Sequence, residues 1–79
     1  MKIVENFDIE EFYKRTGSNV KRIRKEKGVS QLELSLAIGH KSVSLVSNAE
    51  IYNKGCHFNL EHLAKIAHVL DVEMEEFFN

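Results

Sequence analysis

The stretch Val29-Ser30-Gln31-Leu32-Glu33-Leu34-Ser35-Leu36-Ala37-Ile38-Gly39-His40-Lys41-Ser42-Val43-Ser44-Leu45-Val46-Ser47-Asn48-Ala49-Glu50 decides the fold. Ser30 followed three residues later by Glu33 has the form of a capping box, in which each side chain satisfies the other residue's free backbone N–H. The helix that begins there runs to Ile38, and Gly39 closes it by taking the left-handed backbone in which helices end. Ser42 is the next good N-cap and starts a helix through about Glu50. Only Gly39-His40-Lys41 stands between the two.

Two short helices joined by a tight glycine turn form a helix-turn-helix arrangement. Upstream of it, Ile9, Phe12, Thr16, Val20, Ile23 and Lys27 recur at three- and four-residue steps, the spacing of one helical face. Gly17-Ser18-Asn19 interrupts that pattern. It is therefore either one long helix with a weak spot, or a lead-in helix followed by Asn19 to Lys27, with Gly28 as the terminator. Downstream, Ile51 to Phe58 has turn composition and reads as a loop. Asn59 caps a fourth helix with Leu60, Leu63, Ala67 and Leu70 as its apolar stripe. Glu73 to Phe78 forms a last short helix whose apolar residues are Met74, Phe77 and Phe78. The predicted fold is all-α: a compact five-helix domain over residues 18–79. Residues 1–17 form an N-terminal arm and lead-in helix, and the whole makes one folded unit.

With 79 residues the chain has room for one modest core, burying about 60% of its unfolded surface. The formal net charge of −1 hides an uneven layout. From Lys14 to Lys54, nine basic residues face three acids, so the segment carries +6. The two ends hold Lys2 and Lys65 against nine acids and carry −7. The basic part is the part that contains the helix-turn-helix.

Other classes of protein fall away. No apolar run approaches the ~20 residues of a membrane span. The start, Met1-Lys2-Ile3-Val4-Glu5-Asn6, lacks the apolar region of a signal peptide. A single cysteine, Cys56, makes no internal disulfide, so a cytoplasmic protein is expected. No nucleophile triad, phosphate loop or paired-carboxylate motif points to an enzyme. Cys56, His57 and His62, with His40 and His68 more remote, fit no zinc spacing. No metal, cofactor or small-molecule ligand is expected.

As a whole the chain resembles the Xre-type, or Cro/repressor-type, helix-turn-helix transcriptional regulators. The residues that carry the resemblance are Val20-Lys21-Arg22-Ile23-Arg24-Lys25-Glu26-Lys27-Gly28-Val29-Ser30-Gln31-Leu32-Glu33-Leu34, then Gly39, then Val46-Ser47-Asn48-Ala49-Glu50. The last block is Leu63-Ala64-Lys65-Ile66-Ala67-His68-Val69-Leu70-Asp71-Val72. The resemblance implies a domain that binds a pseudo-palindromic operator in double-stranded DNA as a homodimer, with the third core helix in the major groove. It puts Val43, Ser44 and Asn48 at base-reading positions and Ser30 and Gln31 at a phosphate. It also implies a buried ion pair between Arg24 and Glu50. The chain departs from the family by an extra residue at His40-Lys41, by Ser35 in place of alanine, and by a longer loop after Glu50.

A helical wheel agrees independently with that assignment. At 3.6 residues per turn, Ser42, Val46, Ala49 and Glu50 share one side of the third helix, while Ser44, Ser47 and Asn48 share the other. The outward set is small and polar, as a groove about 12 Å wide requires. Asparagine can bond adenine, serine can bond several bases, and valine can touch a thymine methyl. Lys21, Lys41, Lys54 and Ser47 join Ser30 and Gln31 as expected phosphate contacts. Met74, Phe77 and Phe78 are expected at a dimer interface, with Ile3, Val4, Phe7 and Phe12 giving the arm an apolar face. The acidic ends also suit a rival reading, an antitoxin or anti-repressor-like module that uses the same fold to meet another protein.

Overall fold

The computed structural model describes residues 1–79 and is all-α. Four α-helices, α1 (Ile9–Glu26), α2 (Gln31–Ala37), α3 (Ser44–Glu50) and α4 (Leu60–Leu70), are accompanied by two 3-10 turns, Asn53–Gly55 and Met74–Phe78. The expected fifth helix is thus a 3-10 turn. Five residues with only Phe77 fully buried do not sustain a longer α-helical ladder.

The upstream segment is one helix of 18 residues, unbroken across Gly17-Ser18-Asn19. The Asp8 side chain caps it, accepting from the Glu11 N–H at 3.0 Å. Glu10 and Glu11 lie at its positive end, and Arg24 and Lys25 at its negative end. Gly17 survives mid-helix for a packing reason. A Cβ there would lie 2.4 Å from the Ala49 carbonyl oxygen and 2.9 Å from that of Glu50. The C-terminal end of α3 thus rests directly on the backbone of α1. Asn19, in the apparent weak spot, donates from Nδ2 to the carbonyls of Phe77 (3.0 Å) and Asn79 (2.9 Å), closing the chain end onto α1.

The capping box before α2 forms as read: the Glu33 N–H reaches Ser30 Oγ at 3.0 Å, and the Ser30 N–H reaches Glu33 Oε1 at 2.9 Å. The Ser30 N–H first, and the Ser30 hydroxyl after it, stabilise the carboxylate and hold Glu33 below its usual pKa. Helix α3, however, begins one residue later than the Ser42 cap implied. Val43 occupies the N-cap position with no side-chain bond, and Ser42 Oγ only brushes the Ser44 N–H at 3.4 Å. The extra residue near His40-Lys41 is absorbed as non-helical chain, with the His40 N–H turned back onto the Ser35 carbonyl at 2.9 Å.

Before α4, Asn59 and His62 form a second capping box, with bonds of 2.8 and 3.1 Å. The stripe of α4 is Leu63, Ile66, Ala67 and Leu70; Leu60, at its first position, is 73% exposed and lies outside it. Twelve buried apolar residues, drawn from all four helices and including Phe58 and Phe77, form a single core. Phe77 is wholly covered within its own chain, so of the three residues expected at a dimer interface it is not available to a partner. Met74 is half-buried and Phe78 keeps 36% of its surface. No helix is long and apolar enough to cross a membrane.

Candidate nucleic-acid interface

Helix α3 has two sides with different jobs. Val46, Ala49 and Glu50 are buried, whereas Val43 and Ser44 are exposed and Ser47 and Asn48 are half-covered. The inward side is anchored by charge as well as by packing. Arg24 Nε donates to Glu50 Oε2 at 2.7 Å and Nη2 donates to Oε1 at 3.1 Å, a bidentate pair. Arg24 Nη1 also donates to the Val29 carbonyl at 2.8 Å. Both side chains are almost fully buried, at 7% and 0% exposure. Burial on this scale is tolerable because each polar atom has a partner. One guanidinium thereby ties α1, the turn before α2, and α3 together.

Gln31 belongs to the same network. Its Nε2 donates to Glu50 Oε1 at 2.9 Å, so the amide leans inward on α3 and uses one of its two N–H groups there. The resemblance gave this residue a phosphate role; the contact with Glu50 is what the structure adds. Ser30 Oγ is likewise engaged by its cap.

On the outward side, Ser44 carries an exposed hydroxyl, and Ser47 Oγ donates back to the Ser44 carbonyl at 3.2 Å. Asn48 Oδ1 accepts from Asn53 Nδ2 at 2.9 Å. Lys41 and Lys54 are exposed on either flank of α3 in sequence, and Lys21 is half-buried on α1. Lys54 and Tyr52 both hold left-handed backbones, at φ 52° and 55°.

An aromatic cluster that the sequence reading did not anticipate braces this loop. The rings of Tyr13 and His57 stack with centroids 3.8 Å apart and planes within 13°. Tyr13 and Tyr52 lie 6.0 Å apart at 22°, and Lys14 Nζ sits 5.9 Å from the Tyr52 ring centre. His57 Nδ1 lies 3.1 Å from the Gly55 carbonyl and carries the proton in that bond. The available signal was an unassigned tyrosine in the lead-in helix and two unassigned aromatic rings at the loop's ends. Sequence spacing alone does not bring them together.

The histidines and Cys56 do not assemble. Nδ1 of His62 accepts the Asn59 N–H, and its ring meets His40 edge-on at 5.6 Å. Partial burial, followed by the repulsion of His40, lowers the pKa of His62 below 6.5. No three His, Cys, Asp or Glu side chains lie close enough together to hold a metal ion.

Two short helices across a tight turn, the second locked inward by an ion pair and showing small polar groups outward, define a helix-turn-helix domain of the DNA-binding class. The helix-turn-helix family model matches residues 20–77, most of the chain. The protein belongs to this Xre/Cro-repressor-like family, whose members are DNA-binding domains and not enzymes. No significant match is found among curated proteins.

Proposed function

We propose that the protein is a sequence-specific transcriptional regulator that binds a pseudo-palindromic operator as a homodimer, with α3 in the major groove of each half-site. The observation that carries this reading is the division of α3: Glu50 buried on Arg24 at 2.7 Å, and a small polar face opposite it in a chain segment of charge +6. Val43, Ser44 and Asn48 read bases. Lys21, Lys41 and Lys54, with Ser30, Gln31 and Ser47, meet the phosphates. Each lysine that neutralises a phosphate releases a counterion and steepens the salt dependence. Met74 and Phe78, together with the exposed arm residues Ile3, Val4 and Phe7, supply the apolar surface for the second copy.

Titration with duplex DNA from immediately upstream of its own coding sequence, at several salt concentrations, tests this. A steep negative salt slope and two protomers bound per site are expected. Folded protein that fails to bind at low salt overturns the proposal.

A further inference from the structure

Helix α3 and the loop behind it depend on a residue outside the helix-turn-helix match. We propose that Tyr13, in the lead-in half of α1, is a positioning residue for DNA binding: its ring clamps Tyr52 and His57 and so fixes the loop that carries Lys54 and braces Asn48. This inference rests on the reading of α3 and its loop as the DNA-facing edge.

Between buried Glu50 and buried Phe58 no residue is fully buried, and Cys56 alone of the loop packs against the core, beyond the left-handed turn. The loop's backbone bonds are few and mostly long: Tyr52 N–H to Ala49 at 3.4 Å, Gly55 N–H to Tyr52 at 3.3 Å and Cys56 N–H to Asn53 at 3.0 Å. Tyr52 and Lys54 moreover stand in a left-handed conformation that L residues disfavour. Such a loop persists only if its surroundings over-determine it, and the side chains that do so radiate from Tyr13. That ring stacks on His57 at 3.8 Å and on Tyr52 at 6.0 Å, on both sides of the left-handed turn. His57 then holds the Gly55 carbonyl at 3.1 Å, fixing the residue next to Lys54. From the same turn Asn53 reaches Asn48 at 2.9 Å. The chain of contacts therefore runs from Tyr13 to a phosphate-facing lysine on one branch and to a base-facing asparagine on the other. The longer loop and the lead-in helix, two departures from a minimal domain, make one device.

Two variants separate stacking from mere bulk: Tyr13→Phe keeps the ring, and Tyr13→Leu keeps an apolar side chain without it. Hydrogen exchange on the free protein is expected to show faster exchange of the Gly55 and Cys56 amides in Tyr13→Leu, with α4 core amides unchanged and Tyr13→Phe behaving as wild type. On the upstream duplex, Lys54→Ala is expected to lower the salt slope by about 1. Tyr13→Leu is expected to weaken binding in the same direction, and the double variant Tyr13→Leu/Lys54→Ala to lose less than the two single losses combined. Unchanged loop exchange in Tyr13→Leu, or strictly additive losses in the double variant, overturns the proposal. Absence of DNA binding by the wild type instead overturns the DNA-binding reading, and the exchange measurement then decides by itself whether Tyr13 holds the loop.

Discussion

Replacing Gly17 by alanine sets two effects of opposite sign against each other. Glycine in a helix interior costs about 1 kcal/mol relative to alanine, so propensity by itself makes Gly17→Ala stabilising. The new Cβ, however, lands 2.4 Å from the Ala49 oxygen and 2.9 Å from the Glu50 oxygen, both backbone atoms of α3 that no rotamer change moves aside. Ordinary contact needs about 1 Å more room, and forcing such a shift in a packed interior costs about 1–3 kcal/mol. The displaced segment also carries Glu50, whose bonds to Arg24 are set at 2.7 and 3.1 Å. The collision wins, leaving a net loss of up to about 2 kcal/mol, or a fall in Tm of up to about 8–16 °C for a domain of this size. Ser18→Ala serves as the control, because Ser18 is exposed on the same helix and gains propensity without a collision. Thermal unfolding followed by circular dichroism should therefore move the two variants in opposite directions. A Gly17→Ala protein that melts above wild type would refute the reasoning, since α1 and α3 would then not be in backbone contact.

Arg24→Leu or Glu50→Leu alone is expected to cost about 3–5 kcal/mol, while Arg24→Leu/Glu50→Leu recovers much of the loss because no charge is left unpaired; urea unfolding of the three variants checks the non-additivity. Ser35→Ala is expected to stabilise the fold by about 1 kcal/mol, because the Ser35 hydroxyl is completely buried with no hydrogen-bond partner; a lowered denaturation midpoint would contradict this. His62 has a folded pKa below its unfolded value of 6.5, so its contribution is whole above 6.5 and is lost as the pH falls through the window beneath. Denaturant midpoints between pH 8 and 5 should fall more in wild type than in His62→Gln, which keeps an N3 acceptor without the titration. For DNA binding, Ser44→Ala and Asn48→Ala should erode sequence preference, whereas Lys21→Ala should weaken all duplexes alike; competition binding against scrambled sequence distinguishes the two patterns.

Features fixed by neighbours in sequence were legible from residue order alone. The Ser30–Glu33 and Asn59 caps are local, and the structure contains both. The Arg24–Glu50 bonds were within reach because the inward face of the third helix could be read from its period and the resemblance supplied the partner. The start of α3 is not legible in this way: Ser42 has the chemistry of a cap, while the extra residue in the turn holds it back in a bend. The burial of Phe77 is not legible either, because an aromatic in a short terminal segment looks the same in sequence whether it fills a core or an interface. Asn19 holds that chain end onto α1, a contact between residues 58 positions apart. The Tyr13–His57–Tyr52 stack was invisible for the same reason: it arises from how α1 crosses the loop, which no local pattern encodes.

Helices α2 and α3 have seven residues each, roughly half the length at which an isolated helix begins to hold together in water. Neither exists without α1 and α4, so the surface that meets a partner has no stability separate from that of the whole domain. Heat, or a lesion anywhere in the core, then acts on the same equilibrium as a change at the reading surface itself. A gene under such a protein would respond to temperature as well as to protein level. Conditional alleles should map to Val20, Leu34, Ile66 or Phe77 as readily as to α3.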